Sequence, residues 1–467
     1  MRKIKTLALL VGIAVSGSAM AAGSSASLEA RMAQLEERLQ QAEARAESAE
    51  KQIQQLKKQD VKREQEIASV KEFTPVEVKT DGISKDKLLT LNGFDNLKLY
   101  GDVEFNVDGA SRSGQLISAK NGDDNKWNGG NERWDVNGRL LIGLDGYRRN
   151  DKGQFSGFSV QPTADLNGSM NVDDAAFFFG KEQNWMAKIG RFEAYDMFPL
   201  NQDTFIEYSG NTANDLYADG YGYVYMMKEG RGRSDSGGNI LLNKTLGNWY
   251  FELNTLMENG TSLFADQNYH GNKLQQDKNV AYLRPVIAWK GEAFSVAAAM
   301  ETNIVNNAYG YKNDQGEIID QSKRNGYGMT MTWNGQKADP ENGIVANLST
   351  AYMDASDEKD FTVGTNALWK NFELGYIYAH NRIEEFNANG LRPMNNENAG
   401  DDWFSEPGSY DIHTIHASYL IPNVMDMKNF NIYLGAYVSM LEADKHYSND
   451  NDSDQRYGGR VRFKYYF

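Results

Sequence analysis

The chain has 467 residues, 49 Lys and Arg against 64 Asp and Glu, a net charge of -15 and no cysteine. The acidic balance argues against a nucleic-acid partner, and the missing thiols exclude a disulfide scaffold, a thiol nucleophile and any cysteine-ligated metal. Mean hydropathy is low, yet 25 Tyr, 21 Phe and 8 Trp are too many for a disordered chain.

Arg2, Lys3 and Lys5 precede an apolar run from Leu7 to Val15, and Ala19-Met20-Ala21 has the small-x-small form of a cleavage site. Residues 1–21 therefore read as a secretory signal, because the run is well short of the roughly 20 apolar residues a membrane helix needs. Without those three basic residues the positive count falls to 46, and the balance against 64 acids is -18.

Residues 22–72 come next, and a four-three spacing runs through them: Leu28, Met32, Leu35, Leu39, Ala42, Ala46, Ala49, Ile53, Leu56, Asp60, Arg63, Ile67 and Val70. No Gly or Pro interrupts the pattern, which predicts a periplasmic α-helical coiled coil about 64 Å long at 1.5 Å per residue. A lone helix has no partner for its stripe, so the chain is expected to oligomerise. Residues 73–96, with Pro75, Gly82 and Gly93, read as a linker.

From residue 97 to 467 the pattern changes to period two. In 97–107, Leu97, Leu99, Val103, Phe105 and Val107 alternate with Lys98, Asp102, Glu104 and Asn106. In the last eleven residues Tyr457, Val461, Phe463, Tyr465 and Phe467 alternate with Arg460, Arg462 and Lys464. No long apolar run supplies a separate core, so the fold class is all-β, a transmembrane antiparallel barrel with polar residues inside. Short connections, as at Asn248, Gly291 and Asn371, should lie in the periplasm, and long ones such as 108–135, 259–279, 304–325, 381–410 and 442–456 outside. Seventeen segments alternate, and the short-long order falls out of phase after residues 192–236. Adding Thr204 to Ser209 restores it and gives eighteen strands, or sixteen if two weak segments are loops.

Trp185, Trp249, Trp289, Trp333 and Trp369 adjoin short turns and should form the periplasmic interfacial girdle. Trp127, Trp134 and Trp403 fall in the two longest outer loops. Strand parity sends Tyr100, Asp102, Glu104, Arg139, Asp145, Asp165, Lys188, Tyr250, Glu252, Arg284, Glu301, Glu373, Tyr433, Tyr437, Arg460 and Arg462 to the lumen. Charges of both signs with interspersed rings suit a neutral polyol, whose hydroxyls need donors and acceptors and whose ring face stacks on an aromatic. The bland alternative is that these charges merely satisfy each other.

An enzyme is not expected. His413 and His416 look like a metal pair, but their odd spacing sends them to opposite faces of a strand. No Gly-x-Ser-x-Gly elbow is present, Gly230-Arg231-Gly232 is too short for a phosphate loop, and no acid pair stands out. No cofactor and no metal are expected. Acidic outer loops could hold divalent ions among lipopolysaccharide phosphates.

Trp185-Met-Ala-Lys-Ile-Gly-Arg191-Phe192, then Asp196 and Tyr208-Ser-Gly210, resembles a maltoporin stretch, and the coil matches that of sucrose porins. In layout the whole chain resembles an outer-membrane glycoporin of the raffinose-porin type. That resemblance implies a homotrimer of separately conducting barrels in a Gram-negative outer membrane, each with an inward-folded loop, an aromatic line and a polar track. It puts Arg191 in the track with Asp196 as its acidic companion, beside Asp102, Glu104, Arg139, Asp165 and Lys188. By position, Tyr100, Trp134 and Trp403 are the candidates for sugar stacking. The maltoporin Tyr-Ala-Arg-Ser-Gly run is missing from the first strand, although Ser111-Arg112-Ser113-Gly114 follows it.

The expected function is facilitated diffusion of oligosaccharides. One alternative is a general diffusion porin for small hydrophilic solutes. Another is a tether that acts through the coil. Deleting residues 24–72 separates the channel from the tether: transport across the outer membrane should survive, and loss of envelope attachment with the deletion would instead establish the tether.

Overall fold

A computed structural model describes residues 96–110, 133–195, 197, 232–264, 267–313, 315–385, 387, 407–443 and 453–467. The signal segment, the coil and most of the linker lie outside the described residues. The strands are β1 (Asn96–Ala110), β2 (Arg133–Arg149), β3 (Gln154–Asp165), β4 (Met170–Lys181), β5 (Trp185–Arg191), β6 (Gly238–Leu246) and β7 (Trp249–Asn259). Then come β8 (Asn268–Tyr269), β9 (Asn272–Gln276), β10 (Asn279–Lys290), β11 (Phe294–Asn303), β12 (Tyr309–Lys312), β13 (Ile318–Asp320) and β14 (Arg324–Asn334). The last are β15 (Ile344–Ala355), β16 (Glu358–Trp369), β17 (Phe372–Ile383), β18 (Gly408–Ile421), β19 (Phe430–Ala443) and β20 (Ser453–Tyr466).

Sixteen of these strands close into one antiparallel barrel, in the order β1 to β7, β10, β11 and β14 to β20, with β20 paired back onto β1. β8, β9, β12 and β13 form a separate four-stranded sheet. The expected eighteen strands are therefore corrected to sixteen. β5 pairs directly with β6, Ala187 opposite Leu242 and Ile189 opposite Ile240, which leaves no place in the barrel for an intervening strand. Thr204 to Ser209 lies outside the described residues. Loop length misleads because two connections on the long-loop side, 166–169 and 356–357, are as tight as those at the other end.

Alternation turns the strands inside out relative to a soluble sheet. Along β16, Glu358, Asp360, Thr362 and Asn366 are buried, while Phe361 and Trp369 are exposed on the outer face. Trp185, Trp249, Trp289, Trp333 and Trp369 all stand at the end that carries the short turns, where indoles suit the membrane interface. An even strand count brings both ends of the barrel sequence to that side, and Gly101 and Phe467 exchange two backbone bonds of 3.1 Å there.

On the inner face of the closing ladder, Glu104 lies opposite Lys464, Asn106 opposite Arg462 and Asp108 opposite Arg460. Lys464 Nζ is 2.9 Å from Glu104 Oε2, Arg462 Nη2 is 3.1 Å from Glu104 Oε1, and Arg460 grips both oxygens of Asp108. Arg460 and Asp108 are buried, so removing one partner strands a charge and should cost about 3–5 kcal/mol. Arg460→Met should lower the temperature at which the barrel unfolds in detergent, and adding Asp108→Asn should recover most of the loss. An unchanged midpoint in the single variant would show that the seam does not depend on this pair.

Candidate functional site

Past β5 the chain turns into the barrel. Phe192, Ala194 and Met197 are buried, and the backbone of this segment is bound by side chains of distant strands. Glu252 of β7 accepts from Tyr195 N at 2.8 Å, Arg284 of β10 donates to Tyr195 O at 2.9 Å, and Thr330 of β14 donates to Met197 O. The Tyr195 ring stacks on Tyr250 at 4.6 Å. Met197 shares a buried cluster with Ala288, Ala297, Ala351 and Met353, which belong to β10, β11 and β15. Because β5 sits between β4 and β6, the described residues 192–195 and 197 run into the interior and narrow it. A buried loop must find partners for its peptide groups, and a polar-inside wall supplies them.

The return leg, residues 232–237, is fastened beside the outgoing one. Asn239 Nδ2 donates to Phe192 O at 2.5 Å and to Gly232 O at 3.2 Å, tying the two legs together. Glu258 accepts from Asp235 N at 2.7 Å and from Ser234 Oγ at 3.0 Å. A register shift in the ladder of β3 and β4, between Val160 and Pro162, marks a bulge. Such an irregularity re-aims side chains, and here the consecutive Asp173 and Asp174 both meet inner-face cations. Arg233 reaches Asp174 at 2.6 Å, Glu193 at 2.9 Å and Asp173 at 3.4 Å. Arg139 lies 4.0 Å from Asp173, and Lys188 lies 3.9 Å from Asp174 and 4.3 Å from the centre of the Phe192 ring. Burial works against the Arg233 charge, but Glu193, Asp174 and Asp173 outweigh it and raise its pKa above the ordinary arginine value. The cluster sets Arg139, Lys188 and Arg233 against Asp173, Asp174 and Glu193, so both signs of charge meet at the neck.

The predicted residues divide. Tyr100, Asp102, Glu104, Arg139, Asp165 and Lys188 lie on the inner face in register. Tyr100 accepts from Gln161 Nε2 at 2.8 Å and donates to Asp145 at 3.1 Å. Its ring lies against Gly143, where any Cβ would collide with it. Trp134 is different: β2 begins earlier than the sequence suggests, and Trp134 pairs with Gly109 on the outer face, 79% exposed. It does not join the lumen group. Arg191 falls in the outward register of β5 with Trp185 and Ile189, and its guanidinium donates to the carbonyls of Val172 and Ser234. It pins the neck of the inserted segment. Trp403 and Asp196 lie outside the described residues.

Sequence reasoning missed Asp173, Asp174, Glu193, Arg233 and Glu258. The one available signal was the Asp173-Asp174 doublet, which breaks strand alternation. His413 and His416 do lie on opposite faces: His413 pairs with Tyr378 outside, and His416 is buried inside. Among the described residues no group of three or more His, Asp or Glu has the arrangement to hold a metal ion.

Residues 99–467 match the family model described as porin-like glycoporin RafY. No curated relative matches the chain. Similar solved structures include the outer membrane channel DcaP of Acinetobacter baumannii, with 14% identity and TM-score 0.48, covering 81% of this chain and 99% of that one. The anion-selective porin from Comamonas acidovorans is similar at 12% identity and TM-score 0.47, covering 80% and 99%. OmpT of Vibrio cholerae is similar at 11% identity and TM-score 0.42, also covering 80% and 99%.

Arg233 fastens both legs of the inserted segment to the wall, and its fork satisfies three carboxylates. Arg233→Ala should loosen the neck and raise single-channel conductance in a planar bilayer. Arg233→Lys, which keeps the charge but loses the fork, should fall between. Equal conductance in all three proteins would mean that the neck does not depend on Arg233.

Proposed function

Since the chain belongs to the porin-like glycoporin RafY family and is an outer-membrane channel, we propose that it conducts oligosaccharides of the raffinose, sucrose and maltodextrin class by facilitated diffusion. The observation that carries this reading is the mixed-sign cluster at the constriction, with Arg139, Lys188 and Arg233 facing Asp173, Asp174 and Glu193. A channel for one sign of ion is expected to show that sign in excess, whereas a sugar hydroxyl both donates and accepts and needs both kinds of group nearby. In this reading Tyr100 supplies a stacking face, and Asp102, Glu104, Arg139, Asp165 and Lys188 form the polar track with Arg233. Trp403 stays a stacking candidate and Asp196 an acidic companion at the constriction. Trp134 and Arg191 leave the path. Binding is weak, because a channel that holds its sugar cannot release it.

The proposed assembly is a homotrimer clamped by the periplasmic coil of residues 22–72, with lipopolysaccharide around the barrel. One observation favours a general diffusion porin instead. The Asp and Glu side chains of β1 are already engaged by Arg460, Arg462 and Lys464 across the seam, as in a wall whose charges serve only each other.

Bilayer recordings with raffinose, maltotriose and sucrose separate the two. Saturable block in three closing steps, with little preference between small cations and anions, is the expected result. Tyr100→Ala should weaken block by about 1 kcal/mol, the scale of one ring contact. A current indifferent to every sugar leaves the general porin.

A further inference from the structure

Two long connections do more than join strands. Residues 260–278 and 304–323 build the sheet of β8, β9, β12 and β13. Its rings and aliphatic chains, among them Phe264, Tyr269, Leu274 and Tyr309, close on Leu256 and Tyr282, a cross-strand pair on the inner face of β7 and β10. The sheet is thus a cap folded against the inside of the wall, on the side of the long loops.

The cap also grips strands farther round the barrel. His270 Nε2 lies 3.2 Å from Glu358 Oε2, and Arg324 Nη1 lies 3.8 Å from the same oxygen. Asp360, two residues along β16 and on the same face, accepts from Asn381 Nδ2 at 2.7 Å. His270, Arg324, Glu358 and Asp360 are all buried. At the rim, Tyr311 donates to Asp357 at 3.4 Å, and Gln321 donates to the same carboxylate. Buried charges of this kind are costly to bring together and respond strongly to the loss of one partner. They therefore fix the seat of the cap.

Arg324 has a second neighbour. Its Nη2 lies 2.9 Å from Met353 Sδ, and Met353 belongs to the buried cluster that receives Met197 at the far end of the constricting segment. Two inward-folded parts that enter from different loops therefore meet one patch of wall on β14 to β16.

We propose that the cap is a second filter in series with the constriction, and that Arg324 is a positioning residue that couples them. Glu358, which His270 of the cap engages, holds Arg324 on the cap side, and Arg324 meets Met353 of the cluster that receives the constricting segment on the other. A solute or surface ligand that unseats the cap then also alters the constriction. The inference rests on the channel reading but not on the sugar.

The test uses full-length protein in planar bilayers, with His270→Ala, Glu358→Gln and Asp357→Ala compared with the parent. Asp357 sits in a half-exposed two-residue turn, so this variant unhooks the cap rim even where the buried ones fail to fold. Neutral polyethylene glycols of graded size, added on the long-loop side, read the filter. Conductance and raffinose block read the constriction. The expected result is that unhooked variants admit larger polymers and also shift conductance, with block weakened about fivefold, the lower end of ordinary coupling between sites. An unchanged polymer limit overturns the filter. A changed limit with unchanged conductance and block overturns the coupling. Absence of raffinose block in the parent protein would sink the sugar reading while conductance still reported on the coupling.

Discussion

Everything in this structure depends on the pairing of β20 with β1. In a hydrocarbon solvent no backbone N–H or C=O can be left open, so a sheet must close on itself or not span at all. The two strands that meet are at opposite ends of the barrel sequence, and their inner faces carry opposite charge in register, Glu104 against Lys464 and Asp108 against Arg460. A slip of one residue would turn every one of these side chains into lipid. The ionic ladder therefore fixes register as well as closing the ring.

Closure creates the condition for everything inside it. Because the outer face must be apolar, alternation makes the inner face polar, and a polar wall can accept loops that a hydrophobic core would reject. Residues 192–195 and 197 use Glu252, Arg284 and Thr330 as backbone partners, and side chains of the cap bind Glu358 and Asp357. Charged side chains that look in the sequence like a track for solutes are thus partly consumed in holding inserted segments. The cluster around Arg233 keeps side chains of both signs beside the inserted segment.

Strand alternation was legible residue by residue. The inner-face set from Tyr100 to Arg462 and the Trp185 to Trp369 ring follow from period two and from indole chemistry, both of which are local. The strand count was not legible, because turn length is a poor marker of side where a hairpin such as 356–357 turns tightly at the long-loop end. Trp134 was misplaced because strand ends depend on a partner: β2 extends to Arg133 only because β1 extends to Ala110 opposite it. The contacts of Arg191 with Val172 and Ser234 were not legible for a similar reason, since they depend on where the return leg passes.

The sequence by itself determined that this chain makes a barrel with an apolar outside and a mixed-charge inside, because each strand's alternation and each end's aromatic residues act within a few positions. Only the tertiary structure decided that the ring holds sixteen strands, that Asp173 and Asp174 share a face, and that Arg233, Glu193 and Lys188 come together. Those contacts join residues tens to hundreds of positions apart. They arise from closure of the ring and from loops folding into the space it encloses, neither of which leaves a period in the chain.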